Sequence, residues 1–170
     1  PKDLDQTKSF LKEVSSFNPY WIEEPVDGEN ISLLAEIKNT FNMKVVTGEK
    51  QSGLVHFREL IKRNAADIFN PDISGMGGLI DIIKISNEAS NNGISISPHC
   101  WNSMSVSASA MLHVCSSISN SEKAEIFPDY INFSKKFCEL PFDIVDNKAH
   151  INKSAGLGIC LLYTSDAADD

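Results

Sequence analysis

The sequence lacks the features that mark membrane, secreted and nucleic-acid-binding proteins. No apolar run approaches the ~20 residues of a membrane-spanning helix, and no charged-then-apolar signal peptide opens the chain. Acidic residues outnumber basic ones by 23 to 15, and the net charge of −8 argues against a basic surface for nucleic acid. The four cysteines show no CxxC spacing. We therefore expect a cytoplasmic protein with reduced thiols, with no membrane and no nucleic acid among its partners.

The chain is also too short for a complete (β/α)8 barrel. Its 170 residues fall below the ~250 of such a barrel, although they suffice to bury a core. Short β-branched or aromatic runs alternate with helix-like segments, which predicts an α/β fold with a parallel sheet. We predict strands at residues 20–23, 44–47, 66–69, 94–97 and 124–127, and helices at 1–17, 31–41, 54–61, 79–89 and 103–118.

The rhythm of the sequence changes after Asp129. Residues 142–145 and 149–151 are extended segments joined through Asp146 and Asn147, which predicts a hairpin or two separate strands. The last eleven residues, CLLYTSDAADD, are similar to a translated sequencing adapter. We interpret residues 160–170 as an artefact tail, the alternative being a genuine acidic tail.

Four groups that can bind a metal or move a proton follow the first four predicted strands. They lie 23 to 27 residues apart, close to the ~30 residues of one strand-helix unit in a barrel. Side chains at the carboxyl ends of barrel strands meet at one mouth, where barrel enzymes carry out their chemistry. These groups are Glu23, Glu49, Asp72 and His99.

Glu23 and Glu49 are candidate metal ligands. Carboxylates at the ends of neighbouring strands can hold Mg²⁺, which prefers oxygen ligands and keeps several waters. Two carboxylates need a third ligand or substrate oxygens to complete a site. The alternative is that both are solvated loop residues. Glu24 follows Glu23 directly, and alternation along a strand sends only one of them toward the sheet face that lines a barrel.

Asp72 and His99 are candidate catalytic partners. An aspartate that accepts a hydrogen bond from one imidazole nitrogen fixes the tautomer and raises the basicity of the other nitrogen. His99 could therefore act as a general base. The alternative is a structural histidine beside Pro98.

Two further features have weaker functional interpretations. Lys50 could contact a substrate carboxylate, or it could be a surface lysine. The turn at residues 75–78 could receive an anion at a helix start, but it lacks the Lys and Ser/Thr of a P-loop, so we favour a simple helix entry.

Taken in order, these motifs resemble the enolase superfamily, and in particular its mandelate racemase-like subgroup. The resemblance runs from about Pro1 to Ile159. The motifs that carry it are Trp-Ile-Glu-Glu-Pro at 21–25, Thr-Gly-Glu at 47–49, Asn-Pro-Asp at 70–72 with Gly77-Gly78, Ser-Pro-His at 97–99 and Ala-Gly-Leu-Gly-Ile at 155–159.

The resemblance implies specific roles and a specific part of the fold. Glu23 and Glu49 match the second and third metal carboxylates, Asp72 and His99 match the Asp-His dyad, and Glu125 best matches the acidic residue that binds the substrate carboxylate. It implies a partial (β/α)8 TIM-type barrel holding strands four to eight, with a C-terminal extended segment of the capping domain. Residues 1–130 would form the barrel part and 131–159 would pack back on the barrel or capping domain. The first metal ligand and a Lys-x-Lys segment would precede Pro1.

The resemblance also implies a reaction. A Mg²⁺-dependent enzyme would remove the proton next to a carboxylate through an ene-diolate. An acid-sugar dehydratase, a hydro-lyase, is our first expectation because His99 can serve as the acid for loss of water. A racemase or epimerase of the same superfamily is the alternative, and a non-catalytic half-barrel relic is another. The expected partner is a small sugar acid, and the intact parent is expected to be a homo-oligomer.

Overall fold

The computed structural model describes residues 4–101 and 103–162. Six helices occur in this part of the chain: α1 (Leu4–Ser15), α2 (Ile31–Thr40), α3 (Leu54–Lys62), α4 (Leu79–Ser90), α5 (Ser105–Ser117) and α6 (Pro128–Ser134). The strands are β1 (Ile22–Glu23), β2 (Val45–Thr47), β3 (Ile68–Phe69), β4 (Ser95–Ile96), β5 (Cys138–Glu139), β6 (Phe142–Val145), β7 (Lys148–Ile151) and β8 (Cys160–Leu161).

Strands β1 to β4 form one parallel sheet in the order of the sequence. A helix follows each strand, which is the arrangement that connects neighbouring parallel strands. The predicted α/β architecture is therefore confirmed, and the strands are one or two residues shorter than predicted. Asn30 caps α2, because its side-chain oxygen accepts a hydrogen bond from the Leu33 N–H.

A fifth segment extends the sheet beside β4, but not at the predicted residues. Ile96 pairs in parallel with Ser121, and residues 124–127 have no ladder. The Ile96 N–H donates to the Asn120 carbonyl, and the Glu122 N–H donates to the Ile96 carbonyl. The pairing ends there because Pro98, two residues after Ile96, has no N–H to donate. The Ser97 hydroxyl instead donates to the Lys123 carbonyl.

The C-terminal part contains one helix that we did not predict. Helix α6 begins at Pro128 and has Asp129 in its first turn, two features that favour a helix start. The hairpin prediction is confirmed, because β6 and β7 pair antiparallel through Asp146 and Asn147. Both of these residues have positive φ, which a two-residue hairpin turn of this kind requires.

Strand β8 pairs antiparallel with β5. It begins at Cys160, where the predicted artefact tail also begins; residues 163–170 of that tail lie outside the described part. The assignment of residues 1–130, 131–159 and 160–170 to separate units stays a prediction.

The core lies between the parallel sheet and its helices. Its largest fully buried side chains come from both layers, so the sheet and the helices are packed as one unit. Phe57 of α3 packs against Phe69 of β3 with ring centroids 5.0 Å apart. All four cysteines are free thiols, as expected. In the described part of the chain, none of the helices has the length and apolar character needed to cross a bilayer.

Candidate active site

The parallel sheet brings the predicted site residues to the edge formed by the carboxyl ends of its strands. Glu23 ends β1, and Glu49 follows β2 by two residues. Asp72 and His99 each follow their strands, β3 and β4, by three residues. An open pocket of about 180 Å³ lies at this edge, lined by Trp21, Glu23, Val46, Asn70, Ser97, Pro98, His99, Lys123, Ala124 and Glu125.

Glu23 is held in this pocket by a neighbouring strand. The Asn70 side-chain amide donates to Glu23 Oε1 at 2.8 Å. Burial raises the pKa of Glu23, and the negative charges of Glu125 and then Glu49 raise it further, against smaller lowering effects of His99 and Asn70. Negative charge is therefore crowded at this point of the pocket.

His99 and Asp72 form the predicted pair. His99 Nδ1 lies 2.9 Å from Asp72 Oδ2, and both side chains are largely buried. The other oxygen of Asp72 accepts hydrogen bonds from the Ser74 and Gly75 N–H groups. Because the loop after β3 anchors the carboxylate, Asp72 can fix the orientation of the imidazole.

The second imidazole nitrogen of His99 points toward Glu49. His99 Nε2 lies 3.3 Å from Glu49 Oε2. The three side chains of Asp72, His99 and Glu49 thus form a continuous line across the ends of β2, β3 and β4. The catalytic candidates Asp72 and His99 are thus joined to the metal-binding candidate Glu49.

Glu125 lines the same pocket. The Cys100 N–H donates to Glu125 Oε2 at 2.6 Å, so the residue after His99 orients this carboxylate. Burial raises the pKa of the Cys100 thiol to about 11, which keeps it protonated and unsuited to act as a nucleophile.

Lys50 is engaged by acidic side chains. Its ammonium group lies 2.8 Å from Glu24 Oε2 and 3.6 Å from Glu49 Oε1. The Glu24 hydrogen bond, followed by the Glu24 charge, raises the pKa of Lys50. Lys50 does not line the pocket described above.

The glycine turn before α4 is occupied by a carboxylate of the chain itself. A Cβ atom on Gly77 would lie 2.6 Å from Asp81 Oδ2, so Asp81 of the first helical turn folds back over the turn. Acidic side chains stabilise a helix start. The geometry fits the helix-entry interpretation of residues 75–78.

Glu23 and Glu49 are the residues that could hold a divalent cation. Within residues 4–101 and 103–162, no three His, Cys, Asp or Glu side chains are close enough together to enclose an ion. The donor chemistry nevertheless fits Mg²⁺, because crowded carboxylates lie beside the buried amide oxygen of Asn70, which has no hydrogen-bond partner among the described residues. Waters or substrate oxygens would complete the coordination.

Asn70 is the site residue that our sequence reasoning did not single out as functional. Its position immediately after β3, one residue before Pro71 and two before Asp72, was the available signal. A polar residue that ends a buried strand points to the same edge as the other candidates. Trp21 and Lys123 also line the pocket without having been predicted.

Comparisons with known proteins identify the family of this chain. The family model described as enolase C-terminal domain-like matches residues 2–163. One similar solved structure is the crystal structure of an enolase from environmental genome shotgun sequencing of the Sargasso Sea, whose sequence is 94% identical to this chain. The match covers 95% of this chain and 43% of the solved chain, and the two superpose with a TM-score of 0.93.

Two curated relatives are more distant. N-succinyl-L-Arg/Lys racemase of Bacillus cereus is 27% identical over 93% of this chain and 42% of its own length. L-talarate/galactarate dehydratase of Salmonella typhimurium is 32% identical over 52% of this chain and 22% of its own. The chain thus spans less than half the length of the relatives it matches. Because the family model covers nearly all of it, this chain belongs to the enolase C-terminal domain-like family, in the mandelate racemase and muconate lactonizing group of the enolase superfamily.

Proposed function

We propose that this chain supplies the catalytic face of a Mg²⁺-dependent enzyme that removes the proton next to the carboxylate of a sugar acid and then eliminates water. The observation that carries the proposal is the line of contacts from Asp72 through His99 to Glu49, beside Glu23. We further propose that β1 to β4 and the segment at Ser121 correspond to strands four to eight of a (β/α)8 barrel. In the complete barrel, these side chains would form about half of the catalytic mouth.

His99 would carry the proton in this reaction. Nδ1 lies against Asp72, so Nε2, which faces Glu49, is the nitrogen that would take the proton from the substrate. The same nitrogen could return that proton to a departing hydroxyl group, which would complete a dehydration. Asp72 would keep the ring in one orientation throughout, because two backbone N–H groups hold its carboxylate.

The carboxylates would serve the other end of the substrate. Glu23 and Glu49 are the residues that would hold Mg²⁺, and the ion would supply positive charge to the substrate carboxylate as negative charge develops there. Glu125 lines the same pocket and, in its protonated form, would donate a hydrogen bond to the substrate carboxylate. Lys50 is committed to Glu24 and Glu49, so we no longer propose it as a substrate contact.

Dehydratases among the relatives support the choice of substrate class. D-galactonate dehydratase of Ralstonia pickettii and the talarate/galactarate dehydratase both act, by their names, on sugar acids. A racemase is the second candidate, because the N-succinyl-L-Arg/Lys racemase matches 93% of this chain. The two reactions differ in outcome: dehydration yields a 2-keto acid, whereas racemisation yields an epimer without loss of water.

A chimera provides the test of this function. The Sargasso Sea protein is longer than this chain, so this chain can replace the matching segment within it. The chimera is incubated with Mg²⁺ and a panel of aldonic, aldaric and N-acylamino acids, and 2-keto acids and epimers are measured. We expect Mg²⁺-dependent formation of a 2-keto acid from at least one sugar acid, and its loss in Asp72→Asn. Epimers alone would favour the racemase, and activity that survives removal of Mg²⁺ would contradict the proposal.

A further inference from the structure

Glu24 has an unusual backbone and a fully engaged side chain. Its φ of 40° lies in the left-handed region, which residues other than glycine rarely adopt. Its N–H still donates to the Val46 carbonyl, so Glu24 remains joined to β2. Such a backbone persists only where the surroundings determine it, and it is often found beside functional sites.

The Glu24 carboxylate joins the loop after β1 to the loop after β2. Oε1 accepts from the fully buried Thr47 hydroxyl at 2.8 Å, and Oε2 accepts from the Lys50 ammonium at 2.8 Å. Thr47 and Lys50 flank Glu49 in the sequence, and Glu24 follows Glu23. The Glu24 side chain is 13% exposed, and its bond to the fully buried Thr47 is shielded from solvent more than its bond to Lys50.

The Gly28 backbone lies close to this contact. A Cβ atom at Gly28 would lie 2.5 Å from Glu24 Oε1, 2.6 Å from Gln51 Nε2 and 2.9 Å from Thr47 Oγ1. The closeness of the Gly28 backbone to these three side chains restricts where the Glu24 carboxylate can lie.

We propose that Glu24, with Thr47 and Lys50, is a positioning clamp that sets the separation between Glu23 and Glu49. None of these three residues lines the pocket, so the clamp would act without touching substrate. The inference rests on the proposed metal-binding role of Glu23 and Glu49. Groups that orient metal ligands from outside commonly change metal affinity by about 10- to 100-fold when they are altered.

Because Glu24 and Lys50 carry opposite charges, substituting each in turn distinguishes a positioning role from a purely electrostatic one. Glu24→Gln removes a negative charge near the site, and Lys50→Met removes a positive one. If Glu24 and Lys50 acted only through their charges, one substitution would strengthen cation binding at Glu49 and the other would weaken it. If the two residues position Glu49, both changes have the same effect. Lys50 is 58% exposed, so Lys50→Met is expected to fold even if Glu24→Gln does not.

The first measurement needs no metal. Glu49 Oε2 lies 3.3 Å from His99 Nε2, so the ¹⁵N resonance of that nitrogen reports the position of Glu49. In the 170-residue chain, we expect Glu24→Gln and Lys50→Met to shift this resonance in the same direction. Glu88→Gln is the matched control, because it removes an exposed bond to Arg58 remote from the site and should cause no shift. Unchanged resonances, or shifts in opposite directions, would overturn the clamp.

The second measurement is Mg²⁺ binding by calorimetry in the chimera with the Sargasso Sea protein, because a further metal ligand is expected before Pro1. We expect Lys50→Met to weaken binding by about tenfold relative to the unsubstituted chimera and to Glu88→Gln. Tighter binding by Lys50→Met would overturn the clamp. If the unsubstituted chimera binds no Mg²⁺, the proposed metal site is wrong, and the His99 resonance still decides whether Glu24 positions Glu49.

Discussion

At the scale of single residues, Asn70 orients the candidate metal ligand Glu23. Its amide donates to Glu23 Oε1, and only 3% of the residue is exposed. We predict that Asn70→Ala lowers Mg²⁺ affinity by about tenfold, because Glu23 loses the donor that orients it. Calorimetric titration measures the effect, with Asn91→Ala at the exposed end of α4 as control. Equal affinity in the two variants would contradict this role.

Site residues could be predicted from the sequence where they lie at or just after the end of a strand, because this places them at the carboxyl ends of the sheet. Glu23, Glu49, Asp72 and His99 each follow a short apolar run, and parallel strands carry such residues to one edge. The contacts of Asn70 with Glu23 and of Glu24 with Lys50 could not be predicted. They depend on side-chain direction and on the left-handed backbone of Glu24, neither of which has a local sequence signal.

Helix α2 provides a prediction at the scale of the element. The Asn30 side chain caps the helix by accepting from the Leu33 N–H at 3.2 Å. We predict that Asn30→Ala lowers the free energy of unfolding by about 1 kcal/mol, because an N–H at the helix start loses its partner. Urea unfolding of the two proteins measures the difference. Asn30→Ser should retain most of the stability, and a loss as large as that of alanine would argue against a capping role.

The elements also show where sequence reasoning reached its limit. Helices with apolar spacing and strands bounded by Pro or Gly were placed to within a few residues. The segment beside β4 was misplaced because its register depends on Ile96, about 25 residues earlier in the sequence, and on Pro98 ending the ladder. Helix α6 was missed because it spans only 7 residues, which leaves little periodicity to detect.

At the scale of the whole molecule, the fold places β1 at a lateral edge of the parallel sheet. Among the described strands, β1 pairs only with β2, so its other edge presents unpaired backbone groups. Several large apolar side chains are also exposed: Phe10, Phe17, Tyr20, Ile144, Val145 and Leu161. Exposed strand edges and apolar surface favour association with another chain.

We therefore predict that the 170-residue chain self-associates when produced alone. Size-exclusion chromatography with light scattering should show dimers or larger species, and their share should rise with concentration. The chimera with the Sargasso Sea protein is the control, since its additional chain could cover the β1 edge. A sharp monomer peak that unfolds cooperatively would contradict the prediction.

The central claim is that His99, oriented by Asp72 and placed beside Glu23 and Glu49, removes a proton next to a carboxylate. The most direct measurement is Mg²⁺-dependent exchange of that proton for deuterium in D₂O, followed by NMR in the chimera and in its His99→Asn variant. We predict that His99→Asn lowers the exchange rate by about 10²- to 10⁴-fold while Mg²⁺ affinity changes little. Unchanged exchange in His99→Asn would contradict the account.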